Sequence, residues 1–275
     1  MDRRKFLKSV IYGAAGAGLV VSYPIFSEKF VVNINHYKIY LPNLPREFTD
    51  FKILQLTDLH YGFMLPDIIV HNVIKEANSV EKDIIICTGD YVNSKSKGEE
   101  IDYIWSMLSN LNSPQGVYSV LGNHDHSADA ERSIYWLEKS GQNLRHKTIP
   151  LVKNGKRIWI GGSGDLRTDF PGIDETFSGI KMSEFKILLA HNPDTADSEF
   201  ETKIDLIISG HTHGGQIRIP FLSPIVTVKN KKYIKGLIKT KNTNLFICKG
   251  IGCTTIPFRF NCPPEIAILH LFPMV

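Results

Sequence analysis

The chain has 275 residues, of which 43% are hydrophobic and 22% are charged. These are ordinary values for a globular protein, so they exclude a disordered chain, and the length suits one large domain. The formal net charge is +4, but four basic residues stand among the first eight positions, so the rest of the chain is nearly neutral. Nucleic acids require a basic surface, and we therefore expect no nucleic-acid partner.

The N-terminus reads as an export signal. Arg3 and Arg4 form a twin arginine, and an apolar stretch rich in Gly and Ala runs from Val10 to Phe26. This order is typical of a twin-arginine signal, so we expect the twin-arginine export machinery to be a partner. No small-x-small cleavage site follows, and the stretch approaches the length of a bilayer span, so an uncleaved anchor is the alternative. We divide the chain into a signal or anchor at 1–28 and a domain at 29–275.

Export places the protein at the outer face of the cytoplasmic membrane or in the cell envelope, anchored or released. A membrane surface is therefore an expected partner. Residues 229–241 contain six lysines and no acidic residue. They could face anionic lipid, but a solvated hairpin face is the more common explanation of such a run.

The body starts with an alternating segment, 30–42, which predicts a half-buried strand. One pattern then recurs five times: a short apolar run is followed at once by Asp, His, Asn or Gly. The apolar runs are FKILQL, IIIC, VYSVL, KILLA and DLIIS. Strands that are apolar throughout lie inside sheets covered on both faces. Helix-like spacing at 66–80, 99–111 and 127–140 separates several of them, which predicts an α/β or α+β architecture.

The residues after these strands are of types that bind metal ions. They are Asp58, His60, Asp90, Asn123, His191, His211 and His213. In such sheets, ligands collect beyond the carboxyl ends of the strands. Imidazole combined with carboxylate suits Mn, Fe, Zn or Co, and the set is too large for one four-coordinate ion. Two neighbouring divalent ions, as in hydrolases that cleave phosphate esters, would use all of them.

The order D-x-H-x-G, G-D, G-N-H-D, H-N-P and G-H-T-H-G-G resembles the calcineurin-like metallophosphoesterase family. The segments GHTHGGQIRIP and GIGCTTIPFRFNCPPEIAILHL resemble its twin-arginine-exported, membrane-associated phosphodiesterase branch. The resemblance covers about residues 37–272. It implies a four-layer α/β/β/α sandwich of the metallophosphoesterase type. It also implies a first metal held by Asp58, His60 and His213, a second held by Asn123, His191 and His211, and Asp90 as the bridge.

The resemblance implies an enzyme, a metal-dependent hydrolase of phosphoric esters with a binuclear centre and a metal-bridging hydroxide as nucleophile. We expect a phosphodiesterase, acting on a lipid or cell-envelope substrate. His124, beside the ligand Asn123, is the candidate for protonating the departing oxygen, and Asp125 for fixing its tautomer. Arg218, Arg259 and His126 are candidate substrate contacts, although the arginines could instead form structural ion pairs.

Three other functions fit parts of the same pattern. A phosphomonoesterase or phosphatase would share every ligand. A nuclease would use the same chemistry, but it should show a basic groove with aromatic side chains. A metal-binding scaffold without catalysis is expected to lack the residue that His124 represents. The sequence leaves the substrate, the metal pair and the oligomeric state open.

Overall fold

The computed structural model describes residues 27–224 and 230–274, with five separate residues of the N-terminal leader. The predicted signal or anchor thus lies almost wholly outside the described residues and stays a prediction. Glu28 is an exception, because its carboxylate accepts the backbone N–H groups of Asn261 and Cys262. In the part of the chain that the model describes, no helix is both long and apolar enough to span a bilayer.

Eleven strands and four α-helices are present in the described residues. The strands are β1 (Asn33–Leu41), β2 (Phe51–Leu56), β3 (Ile84–Cys87), β4 (Val117–Ser119), β5 (Thr148–Lys153), β6 (Lys156–Gly162), β7 (Lys186–Leu189), β8 (Leu206–Ser209), β9 (Gly236–Lys239), β10 (Asn244–Ile247) and β11 (Glu265–Pro273). The helices are α1 (Asp67–Ser79), α2 (Gly98–Leu108), α3 (Asn123–Lys139) and the short α4 (Ile173–Thr176).

The strands form two mixed sheets. The first has the order β1-β11-β2-β3-β4, and its strands are parallel except where β11 meets β2. The second has the order β5-β6-β7-β8-β10-β9, with four parallel strands inside and an antiparallel strand at each edge. The carboxyl ends of β2, β3, β4, β7 and β8 carry the polar clusters.

The inner strands are apolar throughout because both of their faces are covered. In β2, Ile53 packs into the core between the two sheets, whereas its neighbour Leu54 packs against the layer of α1, α2 and α3. In β7, Leu189 faces the same central core and Leu188 faces an outer core that includes α4. The predicted mixed α/β sandwich of two sheets flanked by helices is confirmed.

The third predicted helix differs from the observed one at its start. We expected it at 127–140, but α3 begins at Asn123 and is kinked at Asp129, whose φ is −166°. The cause is local: the Asp125 carboxylate accepts the N–H of Gly122, which closes the first turn early. Asn123 and His124 are therefore held by a helix start instead of a loop. The predicted hairpin face near 229–241 is present as β9 and β10.

Candidate active site and metal centre

The seven predicted ligands converge where the carboxyl ends of strands from the two sheets meet. Five of them have left-handed backbones with φ between 48° and 70°, namely Asp58, His60, Asp90, His211 and His213. Residues other than Gly rarely adopt this backbone conformation, and such strain is concentrated at functional sites. These backbones turn sharply at the strand ends, which aims the side chains at a common space.

The first cluster contains Asp58, His60 and His213, all of them buried. Nε2 of His60 lies 3.0 Å from Nε2 of His213. Oδ1 of Asp58 is 3.8 Å from the first of these nitrogens and 3.5 Å from the second. Three potential ligand atoms thus surround one small volume.

The second cluster contains Asp90, His191 and His211. Nε2 of His191 lies 3.0 Å from Nδ1 of His211 and 3.2 Å from Oδ2 of Asp90. The same Oδ2 of Asp90 is 3.5 Å from Nε2 of His60 in the first cluster. One carboxylate oxygen therefore stands between the two groups.

The spacing of these atoms fits metal coordination. Ligands about 2.0–2.1 Å from one ion, at tetrahedral or octahedral angles, lie roughly 2.9–3.4 Å from each other. The separations above fall in or near this range. Two buried polar atoms, Oδ1 of Asn123 and Nδ1 of His60, have no hydrogen-bond partner in the described structure. Asn123 adjoins Gly122, which is packed against Asp90 and His191, so its free oxygen fits the role of a ligand to the second group.

Backbone contacts orient the ligand side chains. Nδ1 of His191 lies 2.7 Å from the carbonyl oxygen of Thr88, so it carries a proton, and Nε2 is the nitrogen that would bind a cation. The Asp58 carboxylate accepts the N–H of His211. Oδ1 of Asp90 accepts the N–H of His124, which leaves Oδ2 facing the two clusters.

The charges of the site are those of a cation-binding centre. Burial and the neighbouring His191 lower the pKa of His211 to about 4, and burial holds the pKa of His213 well below its ordinary value. Both rings are therefore neutral near pH 7, as ligands must be. Burial opposes ionisation of Asp58 and Asp90, yet the surrounding imidazoles keep the pKa of both carboxyls low. Burial lowers the pKa of His191, but the neighbouring Asp90 outweighs it and raises that pKa to about 10, so a bound cation would displace a proton from this ring. Two carboxylates, the neutral rings of His211 and His213, and a proton that a cation can replace together favour divalent ions.

Comparison with known proteins agrees with this geometry. Residues 51–215 match the model of the family "Calcineurin-like phosphoesterase". The chain belongs to this family.

Two relatives illustrate the family. The metallophosphoesterase YkuE of Bacillus subtilis is 32% identical over an alignment of 283 positions, gaps included, which covers 98% of each chain. The phosphodiesterase YaeI of Escherichia coli is 29% identical over 234 residues, covering 80% of this chain and 82% of YaeI. Among solved structures, TT1561 of Thermus thermophilus is similar at 12% identity, with a TM-score of 0.46 over 74% of this chain and 91% of that one. This last similarity is too distant to bear on the reaction.

His124 lies beside the two groups of this calcineurin-like site, but Asp125 does not contact its ring. The backbone N–H of Ser94 donates to Nδ1 of His124 over 3.1 Å, so in the neutral ring the proton is on Nε2. Burial lowers the pKa of His124, which favours that neutral ring. The expectation that Asp125 fixes the tautomer is therefore wrong. Its carboxylate instead accepts backbone N–H groups of Asp90, Tyr91 and Gly122, and so ties α3 to the loop after β3.

Arg259 is not placed to contact a substrate. Its side chain is completely buried, and its guanidinium donates to backbone carbonyl oxygens of Lys249, Gly250, Gly252 and Cys262. One of its nitrogens, Nη2, also lies 3.3 Å from Nδ1 of His213. Arg259 therefore makes neither the predicted phosphate contact nor an ion pair. It supports the ring of His213 at Nδ1, behind the ligand cluster.

Arg218 and His126 remain candidates. Arg218 is half-buried, with one long hydrogen bond from Nη1 to the carbonyl oxygen of Gly214, 3.5 Å away. Nε2 of His126 lies 3.9 Å from Oδ2 of Asp169 and has no hydrogen-bond partner among the described residues. Burial lowers its pKa. Both lie near the ligands in sequence, but a substrate contact by either stays a prediction.

Arg167 and Ser94 were not among the predicted site residues. Arg167 lines a cavity of about 690 Å³ together with Asn192, the residue after His191, and Lys231. A signal for Arg167 was available, because β6 is followed at once by Ser163, Gly164 and Asp165 in the same manner as the five clusters. Ser94 had no such signal, since its contribution is a backbone N–H.

Proposed function

We propose that this chain is a phosphodiesterase with a binuclear metal centre, which hydrolyses one ester bond of a phosphodiester. The position of Asp90 supports this most directly. Its Oδ2 lies 3.5 Å from Nε2 of His60 and 3.2 Å from Nε2 of His191, and thus contacts both ligand groups. A carboxylate shared by two cations offsets their mutual repulsion, so this arrangement suits a pair of ions better than one.

The metal pair would be Mn, Fe, Zn or Co, held by the seven residues in two groups. When bound, the ions would lower the pKa of a coordinated water and neutralise the charge of phosphate oxygens. The chain's own residues orient the substrate. His124 presents Nε2–H as a hydrogen-bond donor, because the N–H of Ser94 occupies Nδ1. A preorganised donor of this kind stabilises charge that develops on a phosphate oxygen.

A diester has a second alcohol group, which needs space beside the reacting phosphorus. The cavity of about 690 Å³ offers such space, and its lining includes Arg167, Lys231 and Asn192, the residue after the ligand His191. YaeI, to which this chain is similar, is named as a phosphodiesterase. These observations favour a diester over a monoester. A phosphomonoesterase, or a metal-binding scaffold without catalysis, is the alternative.

We further propose that the protein works outside the cytoplasm, exported by the twin-arginine machinery and held at or near the membrane surface. The twin arginine, Arg3-Arg4, and the apolar stretch after it support this location. A lipid or another cell-envelope phosphodiester would then be the natural substrate.

The test is hydrolysis of bis-p-nitrophenyl phosphate and p-nitrophenyl phosphate by the full chain with Mn²⁺, with and without EDTA. Metal content is measured on the same samples. We expect faster cleavage of the diester, loss with EDTA, and two ions per chain. Asp90→Asn should lower activity by about 10³-fold and reduce the metal content, since it weakens both ligand groups. Asp102→Asn, a surface carboxylate paired with Arg132, is the matched control and should change neither.

Faster cleavage of the monoester would favour the phosphomonoesterase. Two bound ions without turnover of either ester, or of a lipid diester, would favour the scaffold. One ion per chain in an active enzyme would contradict the binuclear proposal.

A further inference from the structure

A tight turn beside the site exposes apolar side chains to water. The N–H of Leu222 donates to the carbonyl oxygen of Ile219, which closes a four-residue turn with Pro220 and Phe221 in the middle. Phe221 is fully exposed, at 106% of its reference area, and Leu222 and Ile219 are exposed by 64% and 41%. The turn thus presents three apolar side chains at its tip.

Phe221 destabilises the fold at this position. Its φ is 67°, and a turn with Pro second and a positive φ third normally has Gly or Asn at that third position. A bulky aromatic residue in this conformation is a genuine outlier. Since its ring is also fully exposed, it adds nothing to the core. The structure therefore gives no stabilising reason for an aromatic residue here, which points to a contact outside the chain.

The neighbouring edge strand is basic. Residues 230–241 include Lys231, Lys232, Lys235, Lys239 and Lys241 and no acidic residue. β9 is the edge of the second sheet, and exposed side chains alternate along this segment: Lys235, just before the strand, and Leu237 and Lys239 within it. One face of this strand therefore combines positive charge with an exposed leucine.

The turn and the basic segment meet over the ligand loop. Gly215, two residues after His213, packs against the side chains of Pro224 and Ile234. The hydroxyl of Thr212 donates to the carbonyl oxygen of Ile234. The segments that carry the apolar tip and the lysines are thus both attached to the loop that carries His211 and His213.

We propose that these two elements form a docking surface for an anionic lipid bilayer, with Ile219, Phe221 and Leu222 entering the headgroup region. Lys235, Leu237 and Lys239 form the rest of the surface. Charge complementarity selects this partner: interfacial binding combines apolar side chains with lysines that face anionic lipid. The inference deepens the proposed function, because it would hold the metal centre against the membrane, but the contact itself does not require hydrolysis.

The first test uses the full chain with Phe221→Trp and vesicles of phosphatidylcholine, alone or mixed with phosphatidylglycerol. The difference in tryptophan emission from the unchanged chain reports on position 221 itself, whatever the leader contributes. We expect a blue shift with the anionic vesicles, and a smaller one in high salt, because salt screens the lysines. No shift, or an equal shift with neutral vesicles, would overturn the proposal.

The second test compares variants in vesicle sedimentation. Phe221→Gly should weaken binding to anionic vesicles about tenfold, while its urea midpoint stays unchanged or rises because Gly relieves the turn. Val152→Ser removes an exposed apolar side chain at the opposite edge of the same sheet and should not weaken binding. Lys239→Ser should weaken binding, unlike Lys156→Ser in the β5–β6 hairpin.

All these variants carry the same leader, and all should hydrolyse a soluble diester at the unchanged rate. Equal vesicle binding by all four would refute the docking surface even if hydrolysis is intact. An inactive protein that still loses vesicle binding through Phe221→Gly would refute the catalytic proposal and leave the docking surface supported. Binding of a soluble envelope protein that depends on Phe221, without any vesicle binding, would replace the bilayer by a protein partner and overturn the proposal.

Discussion

Five of the seven predicted ligands have left-handed backbones, and this strain destabilises the fold at the site. Asp58, His60, Asp90, His211 and His213 each have a positive φ, which destabilises a non-glycine residue by about 1–3 kcal/mol. Two buried atoms without partners, Oδ1 of Asn123 and Nδ1 of His60, add to that cost. Strain and unpaired polar groups gathered in one place are typical of a site arranged for a ligand, and not of a packing core.

The contact between Ser94 and His124 leads to a prediction about the role of this histidine. If His124 donates from Nε2 to a phosphate oxygen that does not leave, His124→Ala should lower kcat by about 10²–10³-fold for diesters with good and poor leaving groups alike. His124→Gln, which can still donate a hydrogen bond but is not an acid at neutral pH, should recover part of the rate. The measurement is kcat for a p-nitrophenyl diester and for an alkyl diester with each variant.

An acid role gives a different pattern. The loss in His124→Ala would then be large for the alkyl diester and small for the p-nitrophenyl diester, because a good leaving group needs no proton. His124→Gln would recover nothing in that case. Such a result would show that the hydrogen bond from Ser94 breaks during the reaction, and it would restore the acid role expected from the sequence.

The sequence predicted which residue types meet at the site, but not how several of them are used. The ligands could be named because Asp, His and Asn follow apolar strands in a recognisable order. The partners of Asp125 and Arg259 could not, because they are backbone N–H and carbonyl groups, which no side-chain pattern in the sequence marks. A side chain's type indicates which bonds it can form, while the fold decides which backbone atoms are within reach.

At the scale of the secondary-structure elements, these residues are brought together by inner strands that are buried on both faces. The runs IIIC and KILLA predicted β3 and β7, and in the structure their apolar residues alternate between the central core and an outer core. The place of β11 could not be predicted in this way. This strand inserts between β1 and β2, which are both far from it in the sequence, and no local sequence pattern indicates that pairing. The early start of α3 was missed because it depends on the contact between Asp125 and Gly122.

The junction of β4 and α3 gives a prediction for Gly122. A methyl group there would lie 2.7 Å from the backbone nitrogen of Asp90 and 2.8 Å from Cε1 of His191. Gly122→Ala should therefore displace the Asp90 carboxylate from its place between the two ligand groups and lower kcat/KM by about 10²-fold, since small misplacements at a reacting centre have effects of this size. The measurement is diester hydrolysis together with metal content.

Gly141→Ala is the control for this substitution. Its methyl group would meet open space, and its φ of 74° should lower the free energy of unfolding by about 1–2 kcal/mol without changing the activity of the folded enzyme. Wild-type activity in Gly122→Ala would mean that Asp90 has room to shift, and would weaken its assignment as a fixed bridge.

At the scale of the whole molecule, the two sheets must stay in register for their strand ends to share one site. The buried carboxylate of Glu265, at the start of β11, accepts hydrogen bonds from Asn35 and Tyr37 of β1. It also accepts the backbone N–H of Lys249, just after β10 of the other sheet, and lies 3.1 Å from the ammonium of that residue. One carboxylate therefore joins the first sheet to the second at Lys249. The carbonyl oxygen of Lys249 in turn accepts a hydrogen bond from Arg259, which lies behind His213.

Glu265→Gln should destabilise the fold by about 3 kcal/mol, because it leaves the buried ammonium of Lys249 without its counter-charge. Burial raises the pKa of Glu265, but Lys249 and the hydrogen bonds outweigh it and hold the pKa below the ordinary value of 4.5. The carboxylate thus stabilises the fold fully above pH 4.5, and this contribution is lost as the pH falls through the lower folded pKa. Urea unfolding at several pH values should show the stability of the wild type approaching that of the variant in acid.

The control is Asp102→Asn, at an exposed ion pair, which should lower the free energy of unfolding by at most about 1 kcal/mol. A constant gap between wild type and Glu265→Gln down to pH values at which carboxylates are protonated would show that the charge of Glu265 does not join the sheets, and that its hydrogen bonds alone do.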